Sequence, residues 1–131
     1  MIVVKFYRDN KNYIKKYTVE GHANFADYGK DIVCAAVSVL AQTTLLSLVE
    51  VCGLKEESLK YEIDDNRGFL NVELPIDIEN TVLDRTQIVL ETFFLGIKSI
   101  IESYPEYVKL ENGRCKQWLE WIYNYLLLKK E

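Results

Sequence analysis

Apolar and β-branched residues cluster with alternating polar ones in two short runs at the start of the chain, Ile2 to Tyr7 and Tyr13 to Glu20. The turn-forming cluster Arg8-Asp9-Asn10-Lys11-Asn12 separates them, so the pair predicts a β-hairpin. A second hairpin is predicted where Leu59, Tyr61 and Ile63 alternate with polar residues, Asp64-Asp65-Asn66-Arg67-Gly68 turns the chain, and Leu70, Val72 and Leu74 return to Pro75. Between the hairpins the pattern is helical. Asp31 is a good N-cap, the apolar run lasts to about Cys52, and Gly53 supplies a C-terminal stop. Val82, Ile88, Val89, Leu90, Phe93, Ile97, Ile100 and Ile101 recur at helical spacing and predict a second helix from about Thr81 to Ser103, closed by Tyr104-Pro105. Glu111-Asn112-Gly113-Arg114 reads as a turn. After it, Trp118, Trp121, Ile122, Tyr125 and Leu126 predict a third, amphipathic helix between Cys115 and Lys129.

The order strand, strand, helix, strand, strand, helix (ββαββα) gives an α+β fold: two β-hairpins forming a mostly antiparallel sheet with helices on one face, plus an extra C-terminal helix. With 131 residues, 49% hydrophobic and 27% charged, the chain reads as one domain with a sizeable core. Residues 1–110 are its body and residues 111–131 a C-terminal amphipathic helical extension of the same domain. A formal net charge of -4 argues against a dedicated nucleic-acid surface, which needs clustered Lys and Arg, and favours a basic protein partner. Three widely spaced cysteines, Cys34, Cys52 and Cys115, without CxxC spacing fit a reducing cytoplasm and provide no zinc site. Met1-Ile2-Val3-Val4-Lys5 is too short an apolar run for a signal peptide, and the polar residues within Ile32–Cys52 read as a buried helix rather than a membrane span.

Chemistry concentrates at the start of helix one. The only histidine, His22, stands in Gly21-His22-Ala23, just upstream of Tyr28-Gly29-Lys30-Asp31-Ile32-Val33-Cys34-Ala35-Ala36-Val37-Ser38. A helix N-terminus and a neighbouring imidazole both lower the cost of a thiolate, so Cys34 and His22 form a candidate nucleophile and base. Helical projection puts Asp31, Cys34, Ala35, Ser38, Ala41 and Gln42 on one face, with Thr43, Thr44, Ser47 and Glu50 nearly opposite. Small residues around a thiol leave room for an approaching peptide. The bland reading is that free cysteine is among the most buried residue types, and Cys52 and Cys115 read as such core filler. Asp31 reads first as a cap, and Ser38 as a hydroxyl bonding back to the Cys34 carbonyl.

The string Gly21-His22-Ala23, Tyr28-Gly29 and Asp31 to Ser38 resembles the signature of the ribosomal-processing cysteine proteases, the Prp family, and the resemblance extends through about residue 110. It implies a bacterial, homodimeric cysteine endopeptidase of the cytoplasm that trims a short N-terminal extension from the basic large-subunit ribosomal protein numbered twenty-seven. Carried over by match, Cys34 is the nucleophile and His22 the general base and acid, without cofactor or metal; Asp31 and Ser38 are supporting candidates. Gly21, Phe25, Tyr28 and Gly29 belong to a substrate loop that folds over bound peptide, Phe25 and Tyr28 supplying apolar walls. The Trp-rich tail departs from the family pattern, and core coverage or a larger dimer contact is its favoured reading over substrate docking or membrane attachment.

The expected mechanism is attack by the Cys34 sulfur with His22 moving the proton, and backbone N–H groups in the first turn of helix one as oxyanion donors. Glu62, Asp64, Asp65, Glu73, Asp77 and Glu79 offer electrostatic steering of a basic substrate. The alternative from another class is a noncatalytic accessory protein that binds a ribosomal protein or assembly intermediate, with Cys34 as a packing residue.

Overall fold

The computed structural model describes residues 1–27, 30–115 and 125–129. Two hairpins form as the alternation dictates, β1 (Ile2–Arg8) with β2 (Ile14–Glu20) and β3 (Lys60–Asp64) with β4 (Phe69–Glu73). Helix α1 (Ile32–Glu50) begins at the Asp31 cap, and α2 (Asn80–Ser103) follows β4. A single 3-10 turn, Glu56–Ser58, lies between α1 and β3. β2 pairs antiparallel with β4, which joins the hairpins into one sheet.

One element departs from the sequence pattern. The segment Glu111-Asn112-Gly113-Arg114, expected to be a turn, lies in a fifth strand, β5 (Val108–Arg114), which pairs parallel with β1 along its whole length. The sheet order is therefore β3-β4-β2-β1-β5. Turn-prone composition is overridden here because β1 offers a full ladder of backbone partners. Gly113 also suits the strand sterically: a Cβ there would meet Lys5 Cε at 2.8 Å and the Tyr7 ring at 3.0 Å. Of the expected third helix, residues 125–129 are helical; Trp118, Trp121 and Ile122 lie outside the described residues.

Both helices cover the same face of the sheet. Ile2, Val4 and Phe6 of β1 point into the core, where the Phe93 ring of α2 sits 5.2 Å from Phe6 and 4.9 Å from Tyr17. Tyr17 donates its buried hydroxyl to the Ala41 carbonyl of α1 at 2.9 Å, tying sheet to helix. Burial pushes the Tyr17 phenol up, so it remains a donor across the physiological range. By length and composition α1 is apolar enough to cross a membrane, yet it packs on the sheet through Val33, Val37, Ala41, Thr44 and Leu48. Thr44 therefore corrects the helical projection: it belongs to the inward stripe, its hydroxyl satisfied by the Leu40 carbonyl at 2.7 Å. The face bearing Cys34, Ser38 and Gln42 is left looking along the sheet toward the β3–β4 turn.

Candidate active site

Three segments converge at the N-terminus of α1: the end of β2, the loop that follows it, and the β3–β4 turn. The convergence is a product of the β2–β4 pairing, which sets Glu20 against Phe69 and lets Gly21 N–H donate to the Gly68 carbonyl at 3.0 Å. Gly21 and Gly68 both have left-handed backbones, with φ of +95° and +60°. That conformation, and the lack of a Cβ, let the two strands' ends touch. Between these segments lies a cavity of about 650 Å³, whose walls include His22, Asp31, Cys34 and Ser38, with Gly21 and Gly68 at the β2–β4 seam.

Cys34 lies in the first turn of α1, partly exposed, its Sγ accepting a hydrogen bond from Ala23 N–H at 3.2 Å. The residue next to His22 thus touches the thiol. His22 itself is exposed, and its Nε2 lies 3.4 Å from the Asn66 carbonyl oxygen in the β3–β4 turn. A carbonyl only accepts, so in this contact Nε2 is the donor, and Nδ1 is the ring nitrogen left facing elsewhere. Among the described residues no hydrogen bond joins His22 to Cys34, as is common for catalytic pairs before substrate binds.

Asp31 is a double anchor. Its Oδ1 accepts from Val33 N–H and Cys34 N–H at 3.0 and 2.9 Å, capping α1, while Oδ2 accepts from Phe25 N–H at 3.0 Å and Ala26 N–H at 3.4 Å. Burial works to raise its carboxyl, but these N–H groups outweigh it and hold the group below the usual carboxylate range. The Cys34 thiol also acts on the Asp31 carboxylate, and among the described residues no hydrogen bond joins that carboxylate to the imidazole.

Cys34 responds in the opposite direction. Burial pushes the thiol up, the Asp31 carboxylate adds to the rise, and the N–H groups of Ala23 and Asn24 only partly oppose it. Burial first, and then the carboxylate that caps the helix, thus act against the thiolate that a helix N-terminus favours, and the opposition of the cap is what an acidic residue beside a thiol leads one to expect. A sign-defined result follows for the resting chain: iodoacetamide labelling of Cys34 should keep accelerating with pH through 9.0, the ordinary thiol value, without an earlier plateau. Cys34 should still label before Cys52 and Cys115, which are both buried. Peptide mapping across a pH series reads both, and a plateau below neutrality would contradict the raised thiol.

Of the other sequence candidates, Ser38 lines the cavity one turn beyond Cys34, and among the described residues it makes no hydrogen bond to the Cys34 carbonyl. Phe25 is not among the residues that line the cavity; its ring packs edge-on against Tyr104 and Tyr107 at 5.6 and 5.2 Å and stays 40% exposed. Tyr28 and Gly29 lie outside the described residues. Of the opposite wall, sequence reasoning named only Asp64 and Asp65, as steering charges, and missed Ile63, Gly68, Phe69 and Leu70.

The family model described as Cysteine protease Prp matches residues 1–109. The chain belongs to the Prp family of cysteine proteases. Ribosomal processing cysteine protease Prp of Staphylococcus aureus (strain NCTC 8325 / PS 47) is 29% identical over 110 residues, covering 84% of this chain and 97% of the relative. The Prp of Bacillus subtilis (strain 168) is 23% identical over 110 residues, with 84% and 96% covered. A crystal structure of S. aureus Prp with a covalently linked product peptide superimposes with a TM-score of 0.72 at 28% identity, covering 86% of this chain and 99% of that one. The α+β fold is thus that of solved Prp structures, and the family identifies the chain as a cysteine peptidase.

Proposed function

We propose that the chain is a cytoplasmic, homodimeric cysteine endopeptidase that removes a short N-terminal extension from the large-subunit ribosomal protein numbered twenty-seven during ribosome maturation. Cys34 is the nucleophile and His22 the general base and acid. The observation that carries this is the bond from Ala23 N–H to Cys34 Sγ in the wall of an open cavity, which brings the backbone beside the only histidine onto the most accessible thiol. The names of the Prp relatives as ribosomal processing proteases, and the product peptide covalently linked in the S. aureus structure, support the substrate class. The body of the protease runs from the first residues through β5 (Val108–Arg114), which moves the boundary expected at residue 110 to the end of that strand, and the residues after it are an extension of the same domain.

Because the resting thiol is protonated, attack and proton transfer are coupled. His22 Nδ1 takes the Cys34 proton as the sulfur adds to the scissile carbonyl, then returns it to the departing amine, and water hydrolyses the thioester. His22 must swing from its resting position against the β3–β4 turn to do so, and substrate entering between the two walls supplies the cause. Apolar side chains from Val19, Ile63, Phe69 and Leu70 receive the peptide, while Asp64 and Asp65 at the turn favour a basic one.

The test is mass spectrometry of the extended ribosomal protein after incubation with wild type, Cys34→Ala and His22→Ala. Cleavage at one site by wild type alone is the expected result. Binding without cleavage by all three would instead favour the accessory-protein reading.

The homodimer draws support from the outward faces of the helices. Ile32, Val39 and Leu46 on α1 and Ile88 and Leu95 on α2 recur every seven residues and are each more than half exposed. Rows of this kind bury well against a second copy. Leu46→Glu combined with Leu95→Glu is expected to convert the dimer to monomer in analytical ultracentrifugation; a double variant that still sediments as a dimer would move the interface elsewhere.

A further inference from the structure

Acyl transfer at Cys34 needs donors for the negative charge that develops on the scissile carbonyl oxygen. The first turn of a helix ordinarily supplies them. Here the three of those N–H groups on and beside the nucleophile are already committed: Val33 and Cys34 donate to Asp31 Oδ1 at 3.0 and 2.9 Å, and Ala35 donates to the Asp31 carbonyl at 3.1 Å. Recruiting them would strip the helix of its cap.

The facing loop has donors of a different kind. Ala23 N–H reaches Cys34 Sγ at 3.2 Å, and the next N–H along the loop is that of Asn24, which lines the same cavity. The next two N–H groups, of Phe25 and Ala26, are fixed on Asp31 Oδ2. Asn24 has a left-handed backbone with φ of +55°, one of two non-glycine residues with positive φ among those described. Successive N–H groups on either side of such a residue converge into a concave anion site, and a strained backbone beside a nucleophile is where function stores it.

We propose that the backbone N–H groups of Ala23 and Asn24 form the oxyanion hole, a role that rests on Cys34 being the nucleophile. In the resting chain Ala23 N–H holds the thiol sulfur, with Asn24 N–H next to it in the loop. As the sulfur–carbon bond forms, the carbonyl π pair moves onto oxygen, the thiol proton passes to His22, Ala23 N–H transfers from sulfur to the adjacent oxyanion, and Asn24 N–H joins it there. When the tetrahedral centre collapses, the pair returns to restore the carbonyl, the carbon–nitrogen bond breaks, and the amine leaves with the proton from His22. Asp31 acts as a positioning residue: one oxygen removes the helix donors from use and the other fixes the far end of the loop that carries the replacements.

The test uses ¹⁵N-labelled full-length protein and a peptide aldehyde built on the ribosomal protein's N-terminal extension, ¹³C-labelled at the aldehyde carbon. Formation of a hemithioacetal on Cys34 should move the Ala23 and Asn24 amide protons further downfield than any others. The largest shifts falling on Cys34 and Ala35, with Ala23 and Asn24 unmoved, would overturn the assignment while leaving Cys34 as nucleophile. No hemithioacetal on Cys34 would overturn the nucleophile itself, and with it the hole. Kinetics give a second readout. Asn24→Val, which resists a left-handed backbone, should lower kcat at least about tenfold with KM little changed, and Asn24→Gly should recover most of the loss. Equal kcat for Asn24→Val and wild type would also overturn the proposal.

Discussion

Cys34→Ala is expected to lower kcat on the ribosomal substrate by about 10⁴-fold or more, and His22→Ala by a comparable factor, with the double variant no worse than either. The non-additivity is the diagnostic part. A nucleophile and its base act as a unit, so once one is gone the other has nothing to activate or be activated by. No other thiol can substitute, since Cys52 and Cys115 are buried and do not line the cavity. Cys34 is only partly buried, so the Ala variant should melt close to wild type, and its loss of activity cannot be assigned to unfolding. Steady-state kinetics alongside thermal melts check this directly. If the double variant lost the product of the two single effects, the residues would be acting independently and the dyad would fail.

Replacing Gly68 by Val should be the most damaging change outside the dyad. A Cβ at this position would stand 2.5 Å from the Gly21 carbonyl oxygen, 2.9 Å from His22 Cε1 and 3.0 Å from Nε2, on a backbone with φ of +60°. The first contact is with main chain and cannot yield, so the β2 end and the β3–β4 turn must part. Their separation breaks the Gly21 to Gly68 hydrogen bond at 3.0 Å and removes the Asn66 carbonyl from reach of His22. Misplacing a catalytic group by about 1 Å costs on the order of 100-fold, so kcat should fall by roughly that factor while the variant also loses stability. The resonances of His22, the single histidine, report the ring directly. A Gly68→Val chain that kept wild-type kcat and an unchanged His22 spectrum would show that the turn does not position the base.

The sequence made local structure readable wherever one face of an element is buried. Alternation located both hairpins because Val4 and Phe6, or Leu70 and Val72, must face the core while their neighbours do not. Helical periodicity located α1 and α2 for the same reason. β5 was illegible: its Glu-Asn-Gly-Arg stretch has turn chemistry, and what holds it is a parallel ladder to β1 more than a hundred residues earlier in the chain. Half of the candidate site shared that limit. The wall formed by α1 follows from projecting the helix, so Cys34 and Ser38 could be set on one face. The wall formed by the β3–β4 turn depends on the pairing of Lys16 with Glu73 and Glu20 with Phe69, which no local pattern encodes.

Two features of the site have physical causes that lie outside any local pattern. Phe25 stands in the loop after β2, and its exposed ring packs against Tyr104 and Tyr107, far along the chain. Cys34 opens a helix, a place that favours a thiolate, while burial and the carboxylate that caps the same helix act the other way and raise the thiol.

The central claim is that cleavage proceeds through a thioester on Cys34, and trapping that species tests it most directly. Wild-type protein mixed with the extended ribosomal protein, acid-quenched during turnover and digested for mass spectrometry should carry the N-terminal fragment on the peptide containing Cys34, and Asn24→Val, slow to form the adduct, should accumulate less of it early in the reaction. Cleaved substrate with no fragment ever found on Cys34, or cleavage sustained by the Cys34→Ala chain, would contradict the account.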